Sequence, residues 1–324
     1  MIGIYFLLLV GFSALLIKAT DILTDSLGAL ARITKVGKYA IASLVLAFAT
    51  SVPELVVGVT AALENRPNMA LGVVLGSNIA DISLVIGGAA IIGGSFSIAG
   101  EFLKIDVFSV FLAGVLPLML LLDNSLSRVD GLILLFVYGM YNYGLLQNRM
   151  KQRYKVDRQS RILRKMFTSA MRKRLNRWLV WLFFGAALLM FSADMIVKVG
   201  VGLAQTLGAP VFLIGLFLVA VGTSLPELSF EIKAIKEKQI GMALGDLFGS
   251  IVANSTLVLG VVSLIRPIRL YNGLNSYLLA AAAFGVMFLL FWFFVRTKRK
   301  LERWEGAVLI VVYAGFILME WLGK

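Results

Sequence analysis

The sequence predicts an all-α polytopic membrane protein of ten transmembrane helices, built as two inverted five-helix repeats. Three observations carry that expectation. Of 324 residues, 60% are hydrophobic, and the mean hydropathy is +0.91, which is more apolar than a water-soluble domain of this length. Apolar runs of about twenty residues, enough to cross a bilayer as helix, recur along the whole chain. A block of sequence near residue 50 also returns near residue 223, with its proline and glutamate in register.

The first span is expected over 2–31. It resembles a secretory leader, and Ala29-Leu30-Ala31 resembles a cleavage site, but no basic residue precedes the apolar run. A retained first helix is therefore expected. Spans two to five follow over 38–64, 69–94, 102–122 and 126–146, and spans six to ten over 178–206, 210–235, 241–265, 273–295 and 304–321. The organisation is a first repeat over 1–148, a basic segment over 149–177 and a second, inverted repeat over 178–324. The basic segment holds twelve Lys and Arg residues. Most other basic residues also fall on alternate connections: Arg32, Lys35 and Lys38, then Lys104, then Lys233, Lys236 and Lys238, then Arg296 to Arg303. The positive-inside rule places these in the cytoplasm and both termini outside, in a multi-pass protein of the cell membrane. The net charge of +13 thus marks topology, in preference to an anionic-lipid contact or a regulatory site, in a chain embedded in the lipid bilayer with no nucleic-acid partner and no obligate protein partner implied.

The chain has no Cys and no His. Disulfides, thiolate chemistry, the usual zinc sites and histidine proton relays are excluded, and any cation must be held by oxygen.

"AFATSVPEL" begins at Ala47 and "AVGTSLPEL" at Ala220, and 173 residues separate Glu54 from Glu227. "MALGVVLGSNIADISLVIG" at Met69 aligns with "MALGDLFGSIVANSTLVLG" at Met242 at the same spacing, so Ser77 meets Ser250 and Asp81 meets Asn254. Five spans is an odd number, so the second copy enters the membrane upside down, the plan of many secondary transporters. Pro53 lacks an N–H and disfavours helix at the residue before it, so a break is expected over 47–51, and Pro226 repeats it over 220–224. Broken helices two and seven would leave carbonyls free beside two carboxylates. Ser77 with Asp81, and Ser250 with Asn254, are four apart and share a helix face. Pooled, these residues form an oxygen-only cage with up to three negative charges, in a form suited to Ca²⁺ and Na⁺.

The pairs "ATSVPE" with "GSNIAD", and "GTSLPE" with "GSIVAN", resemble the α-repeats of the Ca²⁺/cation antiporter superfamily, most of all its prokaryotic Na⁺/Ca²⁺ exchangers. The resemblance implies a secondary active antiporter, no enzyme, with no cofactor and with Ca²⁺ and Na⁺ as substrates. It implies Ca²⁺ ligation by Glu54, Glu227 and the carbonyls of Thr50 and Thr223. It implies Na⁺ sites at Ser51, Ser77, Ser224, Ser250 and the carbonyls of Ala47 and Ala220, around a central pair Asp81 and Asn254. It also implies that spans one and six slide across the rest. Ala49 and Ile251 depart from the usual motif glycine and asparagine. An H⁺/Ca²⁺ exchanger, or one for Mg²⁺ or another divalent cation, stays open because Asp81 is able to titrate. From other classes, the rivals are a channel lined by the broken helices and an aspartyl protease using Asp81 and Asp246. Midplane glutamates disfavour the channel, and the position of Asp246 outside the symmetric set disfavours the protease.

Among secondary candidates, Asp246 extends the polar stripe of Ser250 and Asn254 by a turn, or else simply starts a helix. Lys18 with Asp21, and Asp194 with Lys198, have the spacing of intrahelical ion pairs. Asp25 has no partner in the sequence.

Overall fold

The computed structural model describes residues 2–34, 51–98, 106–153, 169–270 and 275–322. These residues form ten helical segments: α1 (Ile2–Thr34), α2 (Val52–Leu63), α3 (Pro67–Gly93), α4 (Asp106–Leu120), α5 (Arg128–Arg153), α6 (Ser169–Leu207), α7 (Val211–Lys236), α8 (Ile240–Ile265), α9 (Asn275–Lys298) and α10 (Arg303–Leu322). Six of them, α1, α3 and α6 to α9, are long and apolar enough to cross a membrane, and α2 and α4 are shorter apolar helices. Large apolar side chains such as Leu7, Phe136 and Phe183 stand fully outward, a surface that hydrocarbon tolerates and water does not.

Helices α3 and α8 form the centre, and α3 is almost wholly enclosed by other helices. Small residues permit this. A methyl group added at Gly72 or Gly76 would collide with the carbonyl oxygens of Phe212 and Leu216 on α7, so the two backbones run in direct contact. Helices α1 and α6 pack chiefly along each other at the side of this core. Helices α5 and α6 extend into the basic segment further than expected, to Arg153 and from Ser169. The remainder of that segment, and most of the first half of span two, lie outside the described residues.

Local features recur at the same 173-residue spacing. Ser51 has φ −85° and ψ 2°, and Ser224 has φ −86° and ψ 1°. The turns after α2 and α7 each hold one left-handed residue, Asn65 at φ 60° and Lys238 at φ 59°. Both α3 and α8 widen into a π-helical stretch, Asp81–Val85 and Ala253–Val258. Within these stretches, Ser83 and Thr256 donate to the carbonyls four residues back.

Two short antiparallel pairs close the ends of the molecule. β1 (Phe96–Ser97), after α3, pairs with β4 (Lys300–Leu301), before α10. β2 (Ser125–Leu126), before α5, pairs with β3 (Ile268–Arg269), after α8. Matching glycine contacts lie beneath them. A Cβ on Gly87 of α3 would stand 2.7 Å from the Gly306 oxygen on α10, and one on Gly131 of α5 would stand 2.8 Å from the Gly260 oxygen on α8.

Candidate functional site

The site is assembled at the starts of two helices. Ser51 and Ser224 are non-helical, and helix runs on from Val52 and Leu225 with Pro53 and Pro226 in the first turn. Proline suits that turn, because its missing N–H would have no partner there anyway. Glu54 and Glu227 follow at once, in the first turn of each helix, where the helix dipole favours a negative charge.

The second break is narrower than expected. Residues Ala220–Thr223 remain helical, and only Ser224 leaves helical geometry. The looser stretch lies upstream, as a π turn over Gly215–Val219. The Ala220 carbonyl, expected to be free, accepts the Ser224 N–H at 3.0 Å and the Thr223 hydroxyl at 3.1 Å. Helical bonding survives up to Ser224 because a proline deletes only one N–H.

Glu54, Ser51, Ser77, Asp81, Thr223, Ser224, Glu227, Ser250 and Asn254 are all buried. The Ser77 hydroxyl lies 3.5 Å from the Glu54 carboxylate and 3.3 Å from the Thr223 hydroxyl, so one serine joins the two motifs. Asp81 lies within electrostatic range of Glu54, and Glu227 within range of both Glu54 and Asp81. Thr50 and Ala47 lie outside the described residues. Asp246 is buried and acts on Glu54, Asp81 and Glu227. It stands beyond the first turn of α8 and therefore belongs to the polar stripe, not to a helix start.

Among the described residues, Ser51 Oγ, Glu54 Oε2, Asp81 Oδ1, Glu227 Oε2 and Asn254 Oδ1 have no hydrogen-bond partner. Buried oxygens of this kind are costly unless something else satisfies them. The charges acting on these carboxylates among the described residues are those of other carboxylates. No three acidic side chains there close around a single point as a metal site would. Hydroxyls and carbonyls must therefore complete any cation shell, as the oxygen-only composition requires.

The sequence profile of the sodium/calcium exchanger protein family matches residues 4–147 and 177–322. The chain belongs to the sodium/calcium exchanger family. Within it, the chain is 31% identical to CaxA of Alkalimonas amylolytica, covering 93% of this chain and 94% of that one. It is 27% identical to the sodium/calcium exchanger MaX1 of Methanosarcina acetivorans, over 98% and 99% of the two chains. It also resembles a structure of the sodium-calcium exchanger NCX_Mj soaked with Na⁺ and Sr²⁺, with a TM-score of 0.64 at 26% identity over 98% and 99% of the chains.

Two buried polar groups of this exchanger-family chain escape a sequence reading. Asn78 donates to Ser255 at 2.7 Å, tying α3 to α8. Glu231, four residues after Glu227, is buried and acted on by Asp246 and Asp81. Its spacing from Glu227 is a signal, but Lys233 and Lys236 beside it suggest an ordinary charged helix end. The pair Lys198 and Asp194 is joined at 2.9 Å as the spacing implies, and Asp25 acts on Asp21.

Proposed function

We propose that this chain is a secondary active antiporter that exchanges Ca²⁺ for Na⁺ across the cell membrane by alternating access. The observation that carries this is the meeting of Glu54 and Glu227, each in the first turn of its helix, in a buried space where several oxygens have no hydrogen-bond partner among the described residues. Membership of the family, and likeness to proteins named as sodium/calcium exchangers, support it.

The proposal takes α1 to α10 as ten spans, with residues 1–148 and 178–324 as inverted five-helix repeats joined by a cytoplasmic basic segment at 149–177 and both termini outside. The paired kinks, left-handed turns and π stretches at one spacing support the repeat. The strand pairs support the inversion, because each half's connection joins the opposite half in mirrored order.

In this scheme Glu54, Glu227 and the carbonyls of Thr50 and Thr223 ligate Ca²⁺. Ser51, Ser77, Ser224, Ser250 and the carbonyls of Ala47 and Ala220 serve Na⁺ around Asp81 and Asn254. The Ala220 carbonyl becomes available when the Thr223 hydroxyl turns from it towards an ion. Ca²⁺ takes about six to eight oxygens, more than these carboxylates offer alone, so hydroxyls and carbonyls are needed. An empty cage leaves several carboxylates uncompensated in a low dielectric, and the sliding of α1 and α6 is blocked until cations neutralise them. No cofactor and no catalytic residue enter.

Purified protein in vesicles tests this. Ca²⁺ uptake should follow an imposed Na⁺ gradient and be indifferent to K⁺. Uptake driven by a pH gradient and indifferent to Na⁺ would overturn the choice of Na⁺. The buried Asp81, with an oxygen unpartnered among the described residues, is the observation that favours H⁺ as the alternative.

A further inference from the structure

Glu231 has no role in the site described above. It is 1% exposed, and its Oε2 has no hydrogen-bond partner among the described residues. Four residues beyond Glu227 on α7, it shares that residue's face about 6 Å nearer the end marked by Lys233, Lys236 and Lys238. Helices α7 and α8 pack along each other and are joined by a short turn, so Asp246, six residues into α8, stands level with Glu231, five residues from the end of α7, and Asp81 is the other acidic neighbour. Asp246 is displaced from Ser250 by one turn of α8 towards the same end, and is 2% exposed.

The first half has no counterpart. At the 173-residue spacing, Gly58 corresponds to Glu231 and Val73 to Asp246. The acid pair therefore stands on one side of an otherwise two-fold cage.

We propose that Glu231 and Asp246 form a second binding station for a divalent cation of the Ca²⁺ class, one helical turn from Glu227 and Ser250 towards the lysine-marked end. The proposal rests on the cation-exchange reading of the central site. Two carboxylates balance one divalent ion, whereas a monovalent ion would leave a negative charge in an enclosed, largely apolar space. The station and the cage share a field, because Asp246 also acts on Glu54, Asp81 and Glu227. An ion held at the station repels one in the cage and loosens it, as neighbouring ions do in multi-ion pores. This coupling exists on one face of the membrane only, so loading and release differ between the two sides.

Equilibrium binding of radioactive Ca²⁺ to the purified full-length protein in detergent micelles tests the station. Wild type should bind two equivalents. The near-isosteric variants Glu231→Gln and Asp246→Asn, each eluting as a single species at the wild-type volume, should bind one. The double variant E54Q/E227Q should also bind one. Two equivalents retained in both E231Q and D246N overturn the station, and so does a single equivalent in wild type. If E54Q/E227Q retains two while E231Q drops to one, the station stands and the cage assignment fails. In sided vesicles, E231Q should raise KM for Ca²⁺ offered from the lysine-marked side by about tenfold and leave the opposite side within about twofold. An equal rise on both sides overturns the one-sided placement.

Discussion

At the scale of single residues, the two motif glutamates are the most exacting test. Glu54→Gln or Glu227→Gln removes a charge and keeps the shape, and ligand charge count sets the affinity of oxygen sites over decades. Ca²⁺ exchange in vesicles should fall by about two orders of magnitude in either variant; near-normal exchange in E54Q would refute the site. Ser255→Ala leaves the Asn78 amide buried without its 2.7 Å acceptor, which costs about 1–3 kcal/mol. The cost should appear as a lower midpoint in thermal unfolding, with exchange per folded molecule little changed. Glu54, Glu227, Asp81 and Asn254 were legible in the sequence because duplication lifts them from the apolar background: each meets a partner in register. Glu231 and Asn78 were not. Their equivalents in the other half are Gly58 and Ile251, so the repeat is silent about them. Only the packing of α7 and α3 against α8 shows that these polar groups turn inward.

At the scale of elements, the contact between α3 and α7 depends on the absence of side chains. Gly76→Ala drives a methyl group into the Leu216 carbonyl and the Ala220 side chain. Backbone on both sides leaves little room to yield, and overpacking of this sort costs about 1–3 kcal/mol. Gly245→Ala meets nothing within 4 Å and is the matched control. G76A should melt lower and transport poorly, and G245A should resemble wild type; equal behaviour would remove the packing role. The turn between α9 and α10 is fixed differently. The half-buried Glu302 accepts from Trp304 Nε1 at 2.7 Å and from Lys298 at 3.2 Å, and these donors hold its carboxyl below the usual glutamate range. Its contribution to stability is therefore present at neutral pH and lost as acid passes below the ordinary glutamate value of 4.5. The Trp304 part of the fluorescence, taken as the difference from Trp304→Phe, should stay constant down to that pH and change below it. The positions of the helices were legible from apolar run length. The narrowness of the second break was not, because the sequence shows the proline but not that the helical hydrogen bonds before it persist.

At the scale of the molecule, the absence of native cysteine makes introduced disulfides unambiguous. Ser97 and Lys300 are direct strand partners, each within a connection beside the core helices α3 and α10. If the core moves as one body, an S97C/K300C disulfide should leave exchange intact. Ser13 on α1 faces Gly222 on α7, where a Cβ would stand 3.0 Å from the Ser13 Cβ, within about half an ångström of disulfide spacing. An S13C/G222C disulfide should arrest exchange, and reduction should restore it; exchange that continues in the oxidised form would show that α1 does not slide. The helical membrane class and the 173-residue repeat were legible because long apolar runs and an in-register copy stand out in the sequence. The crossing of the strand pairs was not, since two-residue strands leave no pattern in sequence.

Those crossed strand pairs bear on how the protein is made. Each half grips a connection of the other, and the glycine contacts between α3 and α10 and between α5 and α8 lie across the same seam. During synthesis the first half emerges with its clasping edges and its buried carboxylates facing nothing. Its assembly must wait for the last helix, α10, which completes one of the two clasps.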